Sequence, residues 1–172
     1  MKHANRNAAA AFFAVLVFAA PGVSVAGGAD VLRQAQDRAQ ISELMWNYNR
    51  ALDTLNADAY VEAYTPDGAF GATKGREALH KMVADLKTGQ AEREAKGEPK
   101  QGAMYHIETN ERLEFTDRDH ARNHYYWMTV FAGPPNSPAR VAAVGHGVDD
   151  LVRVNGKWLI KFRNVAPAAP QD

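Results

Sequence analysis

The sequence contains no cysteine. Disulfides, thiolate nucleophiles, iron–sulfur clusters and thiolate zinc sites are therefore excluded. It also lacks an excess of either charge, with 20 basic against 20 acidic residues and a formal net charge of zero. No Lys/Arg run interleaves with aromatics, so nothing invites nucleic acid or another phosphate-rich partner. A Gly-rich phosphate loop after a strand, a G-x-S-x-G elbow and internal repeats are all missing too. His120 and His124 have an H-x3-H spacing, but on a turn and strand they do not share a helical face and no acidic partner is evident, so no metal is expected.

What remains, 172 residues of which 46% are hydrophobic and 23% charged, suits one globular domain. The first 26 residues stand apart. Lys2 and Arg6 precede the apolar run Ala8–Ala20, Pro21 and Gly22 break it, and Ser24-Val-Ala26 offers small residues to a signal peptidase. The expectation is a secretory signal over residues 1–26 and a single domain over 27–172, in a periplasmic or other extracytoplasmic compartment. Loss of Lys2 and Arg6 leaves 18 basic against 20 acidic residues, a formal charge of −2.

From Val31 to Leu52, Ile41, Leu44, Met45, Tyr48 and Leu52 fall on one helical face, with Asp30 as the expected N-cap and Asp53 at the far end. A carboxylate in a helix's last turn opposes the macrodipole, which hints at another use. Asn56 or Asp58 caps a short helix carrying Tyr60, Val61 and Tyr64. Thr65-Pro-Asp-Gly68 then reads as a turn before a short strand at Ala69–Ala72. A further helix carries Leu79, Met82, Val83 and Leu86, and residues 87–102, with three glycines, a proline and many charges, read as a mobile lid-like loop.

From Met104 the period becomes two. The expected strands are Tyr105–Phe115, Ala121–Phe131, Arg140–Val154 and Lys157–Asn164, the last two joined by Asn155-Gly156. Helices followed by an antiparallel meander imply an α+β fold. A curved sheet with helices on its concave face would form a cone-shaped α/β barrel around a central pocket. The second strand has bulky groups on both faces, so both are expected to be buried, one inside the cone and one against another subunit, giving a homodimer or homotrimer.

The motifs Leu44-Met-Trp-Asn-Tyr48-Asn-Arg-Ala-Leu-Asp53, Pro66-Asp-Gly68, Lys74-Gly-Arg76, His106-Ile-Glu-Thr-Asn110 and Asn155-Gly-Lys-Trp158 together resemble the SnoaL-like members of the nuclear-transport-factor-2-like superfamily. The pattern is nearest enzymes of the scytalone dehydratase and hexachlorocyclohexane dehydrochlorinase type. The resemblance implies a cofactor-free dyad of Asp53 and His106 that removes a proton from a small apolar, aromatic or polycyclic substrate while a leaving group departs. From the residues alone, the favoured reading is a hydrogen-bonded core histidine for His106 and a helix-end surface charge for Asp53. The resemblance also makes His146, on a late strand, a candidate general acid beside Tyr48. Asn49, Tyr105, His124, Tyr125 and Trp127 are the expected substrate contacts, although alternation turns Tyr105 away from His106 unless a bulge intervenes, and His124 fits the subunit interface as well as the cavity. An isomerase or a non-catalytic binding or assembly module of the same fold are the alternatives.

Overall fold

The computed structural model describes residues 25–133 and 137–166. Most of the expected signal segment therefore lies outside the described residues. Three helices precede or interrupt a six-stranded sheet: α1 (Val25–Asp53), α2 (Ala57–Glu62), β1 (Tyr64–Phe70), β2 (Thr73–Lys74), α3 (Arg76–Ala95), β3 (Met104–Phe115), β4 (His120–Phe131), β5 (Arg140–Val154) and β6 (Lys157–Asn164). The sheet order is β2-β1-β6-β5-β4-β3. All pairings are antiparallel except β1 with β6. The fold is α+β as expected. The sheet stays open, with β2 and β3 as its edges, and α1 packs across β3 and β6. Among the described residues no helix is long and apolar enough to cross a membrane.

The long strands bend at irregularities in register. β3 slips between Thr109 and Arg112, where Asn110 takes φ 53°, and β4 slips against β5 between Thr129 and Val130. An extra residue on one strand kinks it and raises its twist, which gives the sheet a concave side. Asn155 and Gly156, at φ 50° and 80°, make the tight turn between β5 and β6.

The core follows the helical stripe. Ile41, Met45 and Tyr48 of α1 are buried against Tyr60, Val61, Leu79, Val83, Leu151, Trp158 and Ile160. Each such side chain contributes about 1.5–3 kcal/mol through removal from water. Asn56 is the N-cap of α2, its side chain accepting from the Ala59 amide at 3.1 Å.

Three expectations are corrected. α1 begins at Val25, so Asp30 lies within it and pairs with Arg33 (3.6 Å) instead of capping it. Tyr64 opens β1, and Thr65-Pro-Asp-Gly68 is absorbed into that strand as an irregularity, five residues of β1 passing two of β6 between Tyr64 and Ala69. α3 runs on to Ala95, removing the first half of the expected loop. Ala91-Glu-Arg-Glu-Ala95 is rich in helix formers, Gln90 bonds Glu94 (3.3 Å), and the stop comes at Gly97 with φ 80°. The outer face of β4 is open within one chain, with Tyr126 53% exposed.

Candidate active site

β3 is an edge strand, and the amide of His106 points away from β4 toward open space. The carboxylate of Asp53, the last residue of α1, fills that position. Its Oδ1 accepts from the His106 backbone amide at 2.8 Å and meets His106 Nδ1 at 2.8 Å as well. Because a carboxylate only accepts, Nδ1 carries the proton, and in the neutral ring Nε2 keeps its lone pair. Arg50 Nη1 lies 3.7 Å from the other oxygen, Oδ2. The helix-end acid that the macrodipole disfavours is thus held by two N–H donors and a nearby cation, and the imidazole is fixed in both rotamer and tautomer.

His106 lines a cavity of about 220 Å3, walled by Tyr48, Leu52, Phe70, Glu108, Trp127, Thr129, Ala143 and Arg163. A pocket of about 480 Å3 on the far side of the dyad is lined by Asp53, Leu86, Arg93 and Phe131. A larger depression, about 810 Å3, is a groove past the solvent-facing Gln40, Glu43 and Asn47 of α1, and it contains neither member of the dyad. Among the described residues no group of three or more acids and histidines is placed to hold a metal ion.

Strand alternation sorts the remaining candidates. His106 is paired with Thr129, Glu108 with Trp127, Trp127 with Gly145 and Tyr125 with Gly147, and these form the inner face. Tyr48 also reaches the cavity, and burial, partly opposed by Arg163, holds its phenol well above the ordinary value, so it stays neutral. Trp127 lies flat over Gly145 and Tyr125 over Gly147, where a Cβ on either glycine would collide with the ring. Trp127 Nε1 donates to Val165 O at 2.9 Å. Tyr125 is buried beside the cavity instead of lining it, its hydroxyl donating to Asp149 at 3.0 Å.

His146, His124 and Tyr105 lie away from the cavity. His146 pairs with Tyr126, and His124 stacks on it at 5.9 Å and 16° on the outer face. Tyr105 is 46% exposed on that same side. A period of two sends neighbours of inward residues outward, so none of the three meets His106 across the cavity. Asn49 is partly buried on α1, with its side-chain oxygen unpartnered, and does not line the cavity.

Three residues not anticipated from the sequence complete the inner face. Arg163 on β6, 2% exposed, donates through Nη1 to Asp149 Oδ2 at 2.8 Å and through Nη2 to Glu108 Oε1. Its guanidinium lies 4.2 Å from the Tyr48 ring centroid and 4.7 Å from that of Tyr125. Glu108 was legible in principle, two residues beyond His106 on the same strand. The Asp149–Arg163 pairing depends on the β5–β6 register, which no local pattern announces.

This cluster buries two carboxylates around one guanidinium. Burial works against the charge on Arg163, but Asp149, Tyr48 and Glu108 outweigh it and hold the guanidinium protonated. For Asp149 the balance goes the other way. Burial outweighs Arg163, Glu108 adds repulsion, and its carboxyl is pushed up to about 7. The two directions agree physically: one cation cannot neutralise two buried acids, so the surplus proton stays on the cluster.

A family model described as a SnoaL-like domain matches residues 33–164. An NTF2-like protein with a cystatin-like fold from Novosphingobium aromaticivorans superposes with a TM-score of 0.66 at 20% identity, over 88% of this chain and 94% of its own. A second protein from that organism, provisionally described as a scytalone dehydratase, gives 0.63 at 16% identity, over 83% and 99%. A Mycobacterium tuberculosis protein of unknown function gives 0.65 at 21%, over 82% and 77%. At these identities the likeness establishes the fold. No curated protein sequence matches the chain.

The proton on the buried cluster has a measurable consequence. Folded Asp149 keeps its proton up to about pH 7, whereas an unfolded carboxyl releases it near 3.8. Between those values the folded chain binds more protons than the unfolded one, so stability is expected to fall as pH rises through the window and to level off above it. Urea unfolding across the window, compared between the native chain and Asp149→Asn, checks this. The slope attributable to the site is expected to vanish in the variant, and an unchanged slope would place the proton elsewhere.

Proposed function

We propose, from the premise that this chain belongs to the SnoaL-like family, that it is a cofactor-independent lyase acting on a small, largely apolar ring compound. The observation that carries the reading is the double hold of Asp53 Oδ1 on the amide and Nδ1 of His106. A histidine needed only for packing does not require its tautomer fixed by a 6%-exposed carboxylate. A base does, because Nε2 must keep its lone pair and the imidazolium that forms must be stabilised. The dehydratase description of one structural relative supports the same reaction class.

In the elimination, His106 Nε2 takes a proton from a carbon beside an activating group. The released C–H pair forms the new double bond, and the leaving group departs with its own bonding pair. Tyr48, neutral and in the same cavity, replaces His146 as the group that donates a hydrogen bond to the departing atom. The imidazolium then returns its proton to solvent. Trp127, Leu52 and Phe70 wall the cavity and keep water from competing for the base. We place the protein outside the cytoplasm on the basic–apolar–small pattern of residues 1–26.

The outer sheet face supports a homo-oligomer in this reading. Ile107 and Tyr126 are 43% and 53% exposed, Val141 and Val144 55% and 66%. These groups lie together across β3, β4 and β5, and a contiguous apolar patch of this kind marks an interaction face. Light scattering is expected to give a dimer or trimer for the native chain and a monomer for Val144→Asp. A monomeric native chain would overturn the assignment.

Incubation with a library of small ring compounds, read by mass spectrometry, tests the chemistry. A product lighter by its leaving group is expected, with His106→Ala lowering its rate about 10²- to 10⁴-fold while melting temperature and oligomeric state hold. Undiminished turnover in that variant would remove His106 as the base. An isomeric product of unchanged mass would replace elimination by isomerisation.

A further inference from the structure

The elimination reading gives Glu108 nothing to do, yet it is the acid among the residues that line the cavity. It lies two residues from His106 on the same face of β3, lines the same 220 Å3 space, and its side chain is 5% exposed. One of its oxygens is paired with Arg163, and the other, Oε2, is buried without any hydrogen-bond partner. A carboxylate oxygen left bare in a protein interior is costly unless something fills its lone pairs.

We infer that Glu108 is the substrate's polar anchor, its free carboxylate oxygen accepting a hydrogen bond from a neutral hydroxyl on the ring that His106 deprotonates. The inference rests on the reading of this cavity as the substrate site. Rotation about the last torsion of a glutamate side chain is soft and two-fold, so a small turn that keeps Oε1 within reach of Arg163 brings the buried Oε2 toward the cavity. Arg163 is itself locked by Asp149 and by the rings of Tyr48 and Tyr125, so the carboxyl is held by a rigid partner.

Two constraints fix the chemistry of the ligand. The first is charge. Both terminal nitrogens of Arg163 are already engaged by Asp149 and Glu108, and the bare Glu108 Oε2 repels an anionic group and accepts from a donor. The second is size. An apolar cavity of ~150 Å3 holds one benzene, so about 220 Å3 suits one substituted ring or a small fused pair, not a larger polycycle. Consecutive inward residues of a strand stand about 6.6–7 Å apart, which lets Glu108 hold a hydroxyl at one end of such a ring while His106 addresses a carbon at the other.

The test uses the intact chain and three probes of one size: phenol, toluene and benzoate. Binding is followed through the His106 ring resonances, so that contact elsewhere on the surface is not counted. Phenol is expected to bind about ten- to hundredfold more tightly than toluene, the range for a hydrogen bond to a charged group, and benzoate most weakly. In Glu108→Gln the amide oxygen faces Arg163 and the NH2 faces the cavity, so the charged acceptor is lost and the phenol oxygen can only accept a weaker, neutral hydrogen bond. The advantage of phenol over toluene is expected to shrink several-fold there.

Equal binding of phenol and toluene, tightest binding of benzoate, phenol that leaves the His106 resonances unmoved, or a discrimination undiminished in Glu108→Gln would each overturn the inference. If that variant fails to fold, the comparison of the three probes on the native chain decides alone. Failure of the lyase reading shows differently, as turnover that persists in His106→Ala or as phenol discrimination without any product.

Discussion

A single carboxylate oxygen, Asp53 Oδ1, ties the end of the first helix to the open edge of the sheet. It meets the amide and the ring nitrogen of one residue, each at 2.8 Å. Three requirements are satisfied together by this contact. An exposed strand edge offers unpaired amides to any passing chain, and here one of them is taken. A carboxylate at a helix C-terminus is unfavourable by some tenths of a kcal/mol, and two donors offset that. The imidazole then has one orientation and one tautomer, with Nε2 left to the cavity. The position of α1 across β3 and β6 and the polarity of the pocket mouth both follow from where that oxygen has to be.

The sheet separates two kinds of surface by strand alternation. Inward residues of β3, β4, β5 and β6 supply His106, Glu108, Tyr125, Trp127, Asp149 and Arg163. Their outward neighbours supply Tyr105, Ile107, Tyr126 and Val144, which remain partly in solvent. Gly145 and Gly147 matter on the inner side because two aromatic rings lie across them, and a side chain at either would push Trp127 or Tyr125 into the cavity. Behind the rings, one arginine serves two acids. That arrangement is costly to bury, and its retention beside the dyad fits a site that must keep a carboxylate oriented.

Much of this was legible in the sequence. The period of two located β5 and β6 at their observed ends, Asn155-Gly156 announced its own turn, and the stripe from Ile41 to Leu52 marked the buried face of α1. What failed did so for physical reasons. Gly89 and a dense charge pattern suggested a loop where helix-forming residues carried α3 on to Ala95. Tyr64 lay on a helical stripe but starts a strand, because pairing with Ile160 outweighed local propensity. In the site, Asp53 and His106 were paired by resemblance, since no spacing links residues 53 positions apart. His146 was assigned to the wrong face because its register against Tyr126 is a tertiary fact. Glu108 lay in plain view at i+2 of His106, and alternation alone would have placed it.

The central claim is that Asp53 sets the protonation of His106, and ring-nitrogen NMR of 15N-histidine-labelled protein reads it directly. At neutral pH the His106 resonances are expected to show a proton on Nδ1 and a free Nε2, with Asp53→Asn shifting the population away from that form. A proton on Nε2 in the native chain, or a His106 spectrum unchanged by Asp53→Asn, would contradict the account.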